Sequence, residues 1–394
     1  VRVLFVINHL GAGGTERSTA VLLPRLRDLG VEAVVVCLWH RDEGDEQSVV
    51  AQGFDVRVLE GRSFVSRARE LRGILRQVSP AVVHTALYDA DIVGRSAAAG
   101  TGIPVMSSLV NTPYSAVRHA DPNVAAWKLR VLREVDSATA RALVSHFHAV
   151  SEGVALDAAV VLRVPSERIS IVERGRDPEA LGRRDPDRRA RVRRQLDLDD
   201  GHELILAVGR QEFQKGHVHL VEAFAGLARD RPRAVLAIAG RSGNASGALD
   251  RAIGALDDPA RVRVLGHRDD VADLLGAADV FAMPSLYEGT AGAAIEALAL
   301  EVPVVASDLP GTRGVLIDGV NAILVPIGDA HALRLGLIRV LDHPSDAAAR
   351  VALGRTLFED RFTLDRSAAR MYDLYRHVAG LPGRPGHRQA LGLS

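Results

Sequence analysis

Short runs of β-branched and other apolar residues recur along nearly the whole chain, separated by stretches with helical amphipathic spacing. This alternation limits the fold more than any other feature of the sequence. Val3–Ile7, Ala33–Leu38, Asp55–Leu59, Ala81–His84, Val105–Ser108, His146–Val150 and Ile169–Val172 read as strands. A second series reads as strands at Leu204–Val208, Val235–Ala239, Val262–Leu265, Val280–Met283, Val304–Ala306 and Ala322–Val325. Helical patterns lie between them, among them Glu16–Leu29, Ser66–Val78, Val218–Asp230, Ala248–Leu256, Val271–Gly276, Ala291–Ala299 and Ala330–His343. Continuously apolar strands alternating with helices predict an α/β fold with parallel sheets covered on both faces. Over 394 residues, two such series predict two doubly wound domains.

The series are separated by Arg174–Asp200, which is dense in Arg and Asp and carries Pro178 and Pro186. One reading is a basic patch for a membrane surface or polyanion. Acids interleaved with the arginines favour a solvated linker with a short salt-bridged helix. The expected division is 1–180 for the first domain, 181–200 for a linker or hinge and 201–363 for the second domain. A helix at 364–380 is expected to return to the first domain, and 381–394 to form a flexible tail.

The charge balance, 49 basic against 49 acidic side chains, weakens a nucleic-acid reading, so no nucleic-acid partner is expected. Cys37 is the only cysteine, which excludes an intramolecular disulfide and zinc sites built on several cysteines. No His/Asp/Glu cluster has ligand spacing, and no metal is expected. No run approaches the roughly 20 apolar residues of a membrane span. Val1–Ile7 is too short for a signal-peptide core, so the expected location is cytoplasmic, with room for peripheral contact at the inner membrane surface. Lys128 and Lys215 are the only lysines. In a chain so biased to arginine, a lysine in a ligand-facing loop draws attention.

Three stretches can carry chemistry. Gly11–Glu16 follows the first strand and opens a helix, which suits an anion at a helix N-terminus. Glu16 stands where a dinucleotide fingerprint has its third glycine, so a nicotinamide dehydrogenase matches poorly. Val208–Gly216 places Gly209, Arg210 and Lys215 at the carboxyl end of the first strand of the second series. Two cations there suit a diphosphate. Pro284–Ala297 carries Glu288 and, eight residues on, Glu296; between them Gly289, Thr290, Ala291 and Gly292 open a helix with reachable N–H groups. That gives an anion site flanked by two carboxylates able to accept from sugar hydroxyls.

In this order and on this scaffold, Gly209-Arg210 to Lys215-Gly216 and Glu288 to Glu296 resemble the family 4 glycosyltransferases, retaining enzymes of the GT-B fold. The resemblance covers Val1 to about Val378. It implies two Rossmann-like domains facing each other across a cleft. The C-terminal domain would hold a nucleoside-diphosphate sugar, UDP- or GDP-linked, and the N-terminal domain a hydroxyl acceptor: a small metabolite, a saccharide or a lipid-linked sugar. No cofactor is implied. Arg210 and Lys215 would grip the diphosphate, Glu296 the ribose, and Glu288 the donor sugar beside the backbone of Thr290, Ala291 and Gly292. Gly13 and Gly14 would meet the sugar phosphate from the opposite wall, and Val264–Arg268, with Leu265 and Arg268, would frame the base. The reaction implied is metal-independent transfer with retention, as the domains close on the hinge.

The chain departs from the family pattern at three places. Thr290 and Ala291 replace a larger residue and a second glycine. Val110 or Asn111 stands where many members have a histidine. Glu173-Arg-Gly-Arg-Asp177 replaces Pro-Asn-Gly-Val-Asp. These changes bear on donor and acceptor identity rather than reaction class. On the acceptor side, His84, Tyr88 and Asn111 are candidate lining residues, and His119 is a further candidate base. Two other readings stay open: a nucleotide-sugar epimerase using Glu288 with His84, and a non-catalytic nucleotide-binding subunit. Trp39 and Trp127 read as packing residues.

Overall fold

The computed structural model describes residues 1–11, 13–42, 44–115, 118 and 125–382. The chain forms two compact units: Val1–Ser115 with Ala125–Gly175 and the segment from Leu364, and Arg176–Thr363.

In the first unit, seven strands alternate with helices: β1 (Arg2–Ile7), α1 (Gly14–Asp28), β2 (Glu32–Cys37), α2 (Glu46–Ala51), β3 (Asp55–Val58), α3 (Phe64–Val78), β4 (Val82–Ala86), α4 (Tyr88–Ala98), β5 (Val105–Leu109), α5 (Ala126–Leu143), β6 (His146–Ala149), α6 (Glu152–Val161) and β7 (Ile169–Ile171). The sheet is parallel throughout, in the order β3-β2-β1-β4-β5-β6-β7. The reason for apolar runs in place of alternation is visible in β1. Leu4 and Val6 enter the core on one face, and Val3, Phe5 and Ile7 enter the core on the other.

The second unit opens with α7 (Pro178–Leu181) and α8 (Pro186–Gln195). It continues through β8 (Glu203–Val208), α9 (His217–Asp230), β9 (Ala234–Ala239), α10 (Ser246–Gly254), β10 (Val262–Gly266), α11 (Val271–Ala277), β11 (Val280–Met283), α12 (Gly292–Ala299), β12 (Val304–Ser307), β13 (Ile323–Val325), α13 (Ala330–Asp342) and α14 (Pro344–Arg361). Its parallel sheet has the order β10-β9-β8-β11-β12-β13. Strand order reverses between β8 and β11, the switch point at which doubly wound sheets bind ligands. Leu204 and Leu206 pack on one face of β8, Ile205 and Ala207 on the other.

Residues 181–200 hold the expected short salt-bridged helix, α8, but it packs onto the second unit's core instead of standing in solvent. Asp185 caps α8 by accepting from the Arg188 N–H at 2.8 Å. Arg188 pairs with Asp273 at 2.5 Å, Arg189 with Asp279 at 2.7 Å, and Arg193, 2% exposed, with Asp279 at 3.2 Å. Val192, Leu196 and Leu198 join the core. The charge pattern reads as solvated because the acids that answer these arginines lie 85, 90 and 86 residues away in sequence.

The last helix, α15 (Leu364–Val378), packs in the first unit, where Met371, Leu374 and Tyr375 enter the core beside Phe5 and Ile7. Tyr375 also starts a buried hydrogen-bond chain whose direction follows from its far end. The Val172 carbonyl can only accept, so His148 Nε2 donates to it at 2.9 Å. Neutral His148 then accepts at Nδ1 from Ser108 Oγ at 2.7 Å. Ser108, its one proton used, accepts from His84 Nε2 at 2.6 Å, and His84 Nδ1 accepts from the Tyr375 hydroxyl at 2.7 Å. Burial keeps both imidazoles neutral: it pushes His84 well below the ordinary value and His148 down to about 4.

Tyr375→Phe leaves His84 Nδ1 buried without a donor, and is expected to cost about 1–3 kcal/mol in urea unfolding. Loss of hydration also holds His146 and His217 at about 4. Unfolded histidines take up protons from about pH 6.5 downward. The unfolded state therefore gains protons first, and stability falls as pH drops from 6.5 to 4. Asp91, raised to about 6 by burial, acts in the opposite sense, as do Asp45 and Asp157, raised by burial, and His40, raised by its bond to Glu46; the four buried histidines are expected to outweigh them. A urea midpoint that did not fall over this range would contradict this reading.

Candidate functional site

At the switch point the loops after β8 and β11 come together. Lys215 Nζ donates to Glu288 Oε1 at 2.5 Å, with the lysine side chain 27% and the glutamate side chain 8% exposed. Ser285 Oγ donates to the same oxygen at 2.8 Å, and Gln214 Nε2 donates to the Tyr287 carbonyl at 2.9 Å. The Leu286 N–H donates to the Gln214 carbonyl at 2.8 Å, which ties one loop to the other. Gly216 makes this approach possible. Its φ is +62°, and a Cβ would lie 2.1 Å from the Pro284 carbonyl oxygen.

Gly209, with φ +155°, takes the chain out of β8. Arg210 follows on the same loop. Its side chain is 65% exposed, with Glu212 Oε1 at 3.7 Å. Beyond β11, Gly289, Thr290 and Ala291 lead into α12, with Thr290 and Ala291 buried. Glu296, one turn into α12, accepts from Arg176 Nε at 2.6 Å. Of the expected residues, Lys215 and Glu288 are in direct contact. Glu296 instead meets Arg176, which sequence reasoning noted only as a departure from a motif. Gln214 and Ser285 were also missed; polar residues in a loop give no sign of which carboxylate they orient.

Leu265 lies half-buried in β10, and Arg268 just beyond it holds Asp270 in two contacts, 2.7 and 2.5 Å. That bond lowers the Asp270 pKa and raises that of Arg268. His217 opens α9, 5% exposed, and its pKa is pushed down to about 4 by burial and then by the Lys215 charge.

In the first unit, Gly13 caps α1 and Gly14 begins it; Arg174 Nη1 donates to the Gly14 carbonyl at 3.2 Å. Ala12 and His119 lie outside the described residues. His84 lies two residues before the end of β4, not at its end as expected, because the strand runs on to Ala86. With Ser108, His148 and Thr15 it lines a cavity of about 60 Å³. Tyr88 opens α4, its phenol pKa raised by burial and nearby Asp136. Asn111 lies half-buried just after β5. Among the described residues, no group of three or more His, Cys, Asp or Glu could hold a metal ion, and no helix is long and apolar enough to cross a membrane.

Two sequence families match the chain: Glycosyltransferase Family 4 over residues 12–180, and Glycosyl transferases group 1 over residues 188–355. Between them they span most of its length. The chain belongs to the family 4 glycosyltransferases. Among relatives of this family 4 chain, the D-inositol 3-phosphate glycosyltransferase of Xylanimonas cellulosilytica is 37% identical over 193 residues, 48% of this chain and 45% of that protein. The alpha-D-kanosaminyltransferase of Streptomyces kanamyceticus is 28% identical over 193 residues, 48% of this chain and 50% of that protein. The chain thus spans about half the length of these curated relatives. The fold matches Anabaena HepE, solved in complex with UDP, with a TM-score of 0.82 at 18% identity, over 96% of this chain and all of that one. This is the GT-B fold.

Gly216→Ala puts a Cβ into the left-handed region and against Pro284. It is expected to cost at least about 1–2 kcal/mol in urea unfolding.

Proposed function

We propose that the protein transfers a sugar from a nucleoside-diphosphate sugar to a hydroxyl acceptor, with retention at the anomeric carbon and without a metal. The Lys215–Glu288 contact at the β8/β11 switch point carries this reading. It joins two motifs 73 residues apart at the edge where such sheets bind ligands, in a chain of this family. HepE binds UDP, and UDP- and GDP-linked sugars are the first donors to consider.

The donor would lie with its base near Leu265–Arg268, its ribose at Glu296, its diphosphate at Arg210 and Lys215, and its sugar at Glu288. Lys215 has three N–H donors and commits one to Glu288, so it can hold the carboxylate and a phosphate oxygen together. Exposed Arg210 can turn onto the same phosphate as a planar fork. The N–H groups opening α12 add a partial positive charge.

In the reaction the bond from the anomeric carbon to the phosphate oxygen breaks. The bond to the acceptor oxygen forms on the same face, and the departing phosphate oxygen takes the acceptor proton. No protein base is required. The protein supplies charge for the leaving diphosphate and alignment of the sugar.

Thermal shift against UDP, GDP and ADP and their sugars is the direct test, because a ligand of the folded state raises Tm. Arg210→Ala and Lys215→Ala are each expected to lower kcat by about 10²–10³, by analogy with loss of one oxyanion donor. Normal turnover in both variants would overturn the assignment.

A further inference from the structure

Arg176 begins the second unit, within the stretch where this chain has Glu-Arg-Gly-Arg-Asp in place of Pro-Asn-Gly-Val-Asp. A side chain that cannot ionise is thereby replaced by a guanidinium, and its position is specific. Nε donates to Glu296 Oε1 at 2.6 Å, with both side chains about four-fifths buried. Nη2 lies 2.3 Å from where a Cβ on Gly292 would stand, so the guanidinium fills the space that the glycine leaves at the first residue of α12. One edge of the fork is on the carboxylate expected to take the ribose. Nη2, the corner that this edge shares with the outer Nη1–Nη2 edge, is beside the first residue of the helix expected to face the diphosphate. Along a nucleoside diphosphate, the group between ribose and the terminal phosphate is the first phosphate.

Resting on the donor reading above, we infer that Arg176 binds the donor's first phosphate, with Glu296 fixing its fork, as a third cation beside Arg210 and Lys215. The pairing does two things at once. It lowers the conformational cost of presenting an arginine to phosphate, because Nε is already held. It also keeps the carboxylate of Glu296 from repelling the diphosphate next to it, since the two negative groups meet across one guanidinium. Glu296 retains its second oxygen for a ribose hydroxyl.

A purely structural role, in which Arg176 only steadies Glu296, makes a different prediction. Titration calorimetry on the intact chain with UDP, GDP and ADP identifies the nucleotide it binds. Arg176→Gln is then compared with the parent on that nucleotide and on its 2′,3′-dideoxy form, which lacks the ribose hydroxyls. The expected result is a loss of about tenfold or more on both forms, the scale of one charge-assisted hydrogen bond. Arg176→Lys, which keeps charge without the fork, should recover part of it. Gly292→Ala, which keeps every charge but displaces the guanidinium, should show a similar loss. A loss confined to the form with ribose hydroxyls would mean that Arg176 acts through Glu296 and would overturn the inference, as would no loss at all. If the parent bound none of UDP, GDP and ADP, the donor reading itself would fail, and this inference with it.

Discussion

A parallel sheet is buried on both faces, because most crossovers between its strands lay a helix against one face or the other. Both units of this protein obey that constraint, and much else follows from it. β1 and β8 send alternate side chains into two separate cores, so neither can afford a polar residue in its interior. In the second unit, the polar side chains near β8 lie instead in the loops at the carboxyl ends of the strands. At the β8/β11 boundary those loops diverge toward helices on opposite faces and leave their own side chains to meet.

The contact made there is an ion pair whose components are held by different means. Glu288 is fixed by Ser285 and by backbone ties from Gln214 to the loop after β11. Lys215 reaches it only because Gly216 turns the chain through the left-handed region at a spot where a Cβ would strike Pro284. Glu296 is handled similarly by Arg176. Each carboxylate of the site is thus partnered by a cation, and the site is near neutrality before any diphosphate arrives. On the proposed reading, a diphosphate would meet two cations already positioned, Lys215 and Arg176, while exposed Arg210 would turn in from solvent.

Charge pairing over long sequence separations also accounts for the arginine-rich stretch near 181–200. Its arginines answer Asp273 and Asp279, and Arg193 lies within the core. The first unit pairs charges too, Arg95 with Asp136 and Arg370 with Glu173, and adds a neutral relay from Tyr375 to the Val172 carbonyl. There burial removes protons from the histidines, and a one-way order of donors results. His84 is occupied by that relay on both ring nitrogens.

All thirteen strands of the described residues are legible in the sequence, since apolar β-branched runs with helical patterns between them admit few other structures, and observed ends shift by at most two residues. The Arg210–Lys215 loop and the Glu288–Glu296 spacing are legible for a related reason: each lies within one strand–loop–helix unit, where short-range geometry decides what faces the strand's end. Tertiary structure decided what no local pattern could. It decided that Lys215 bonds Glu288, that Glu296 is held by Arg176 from 120 residues away, that Gln214 and Ser285 orient the site, and that α15 closes the first unit's core. These outcomes depend on strand order, and strand order is set by which crossovers bury the most apolar surface. That is a property of the assembled sheet and not of any segment within it.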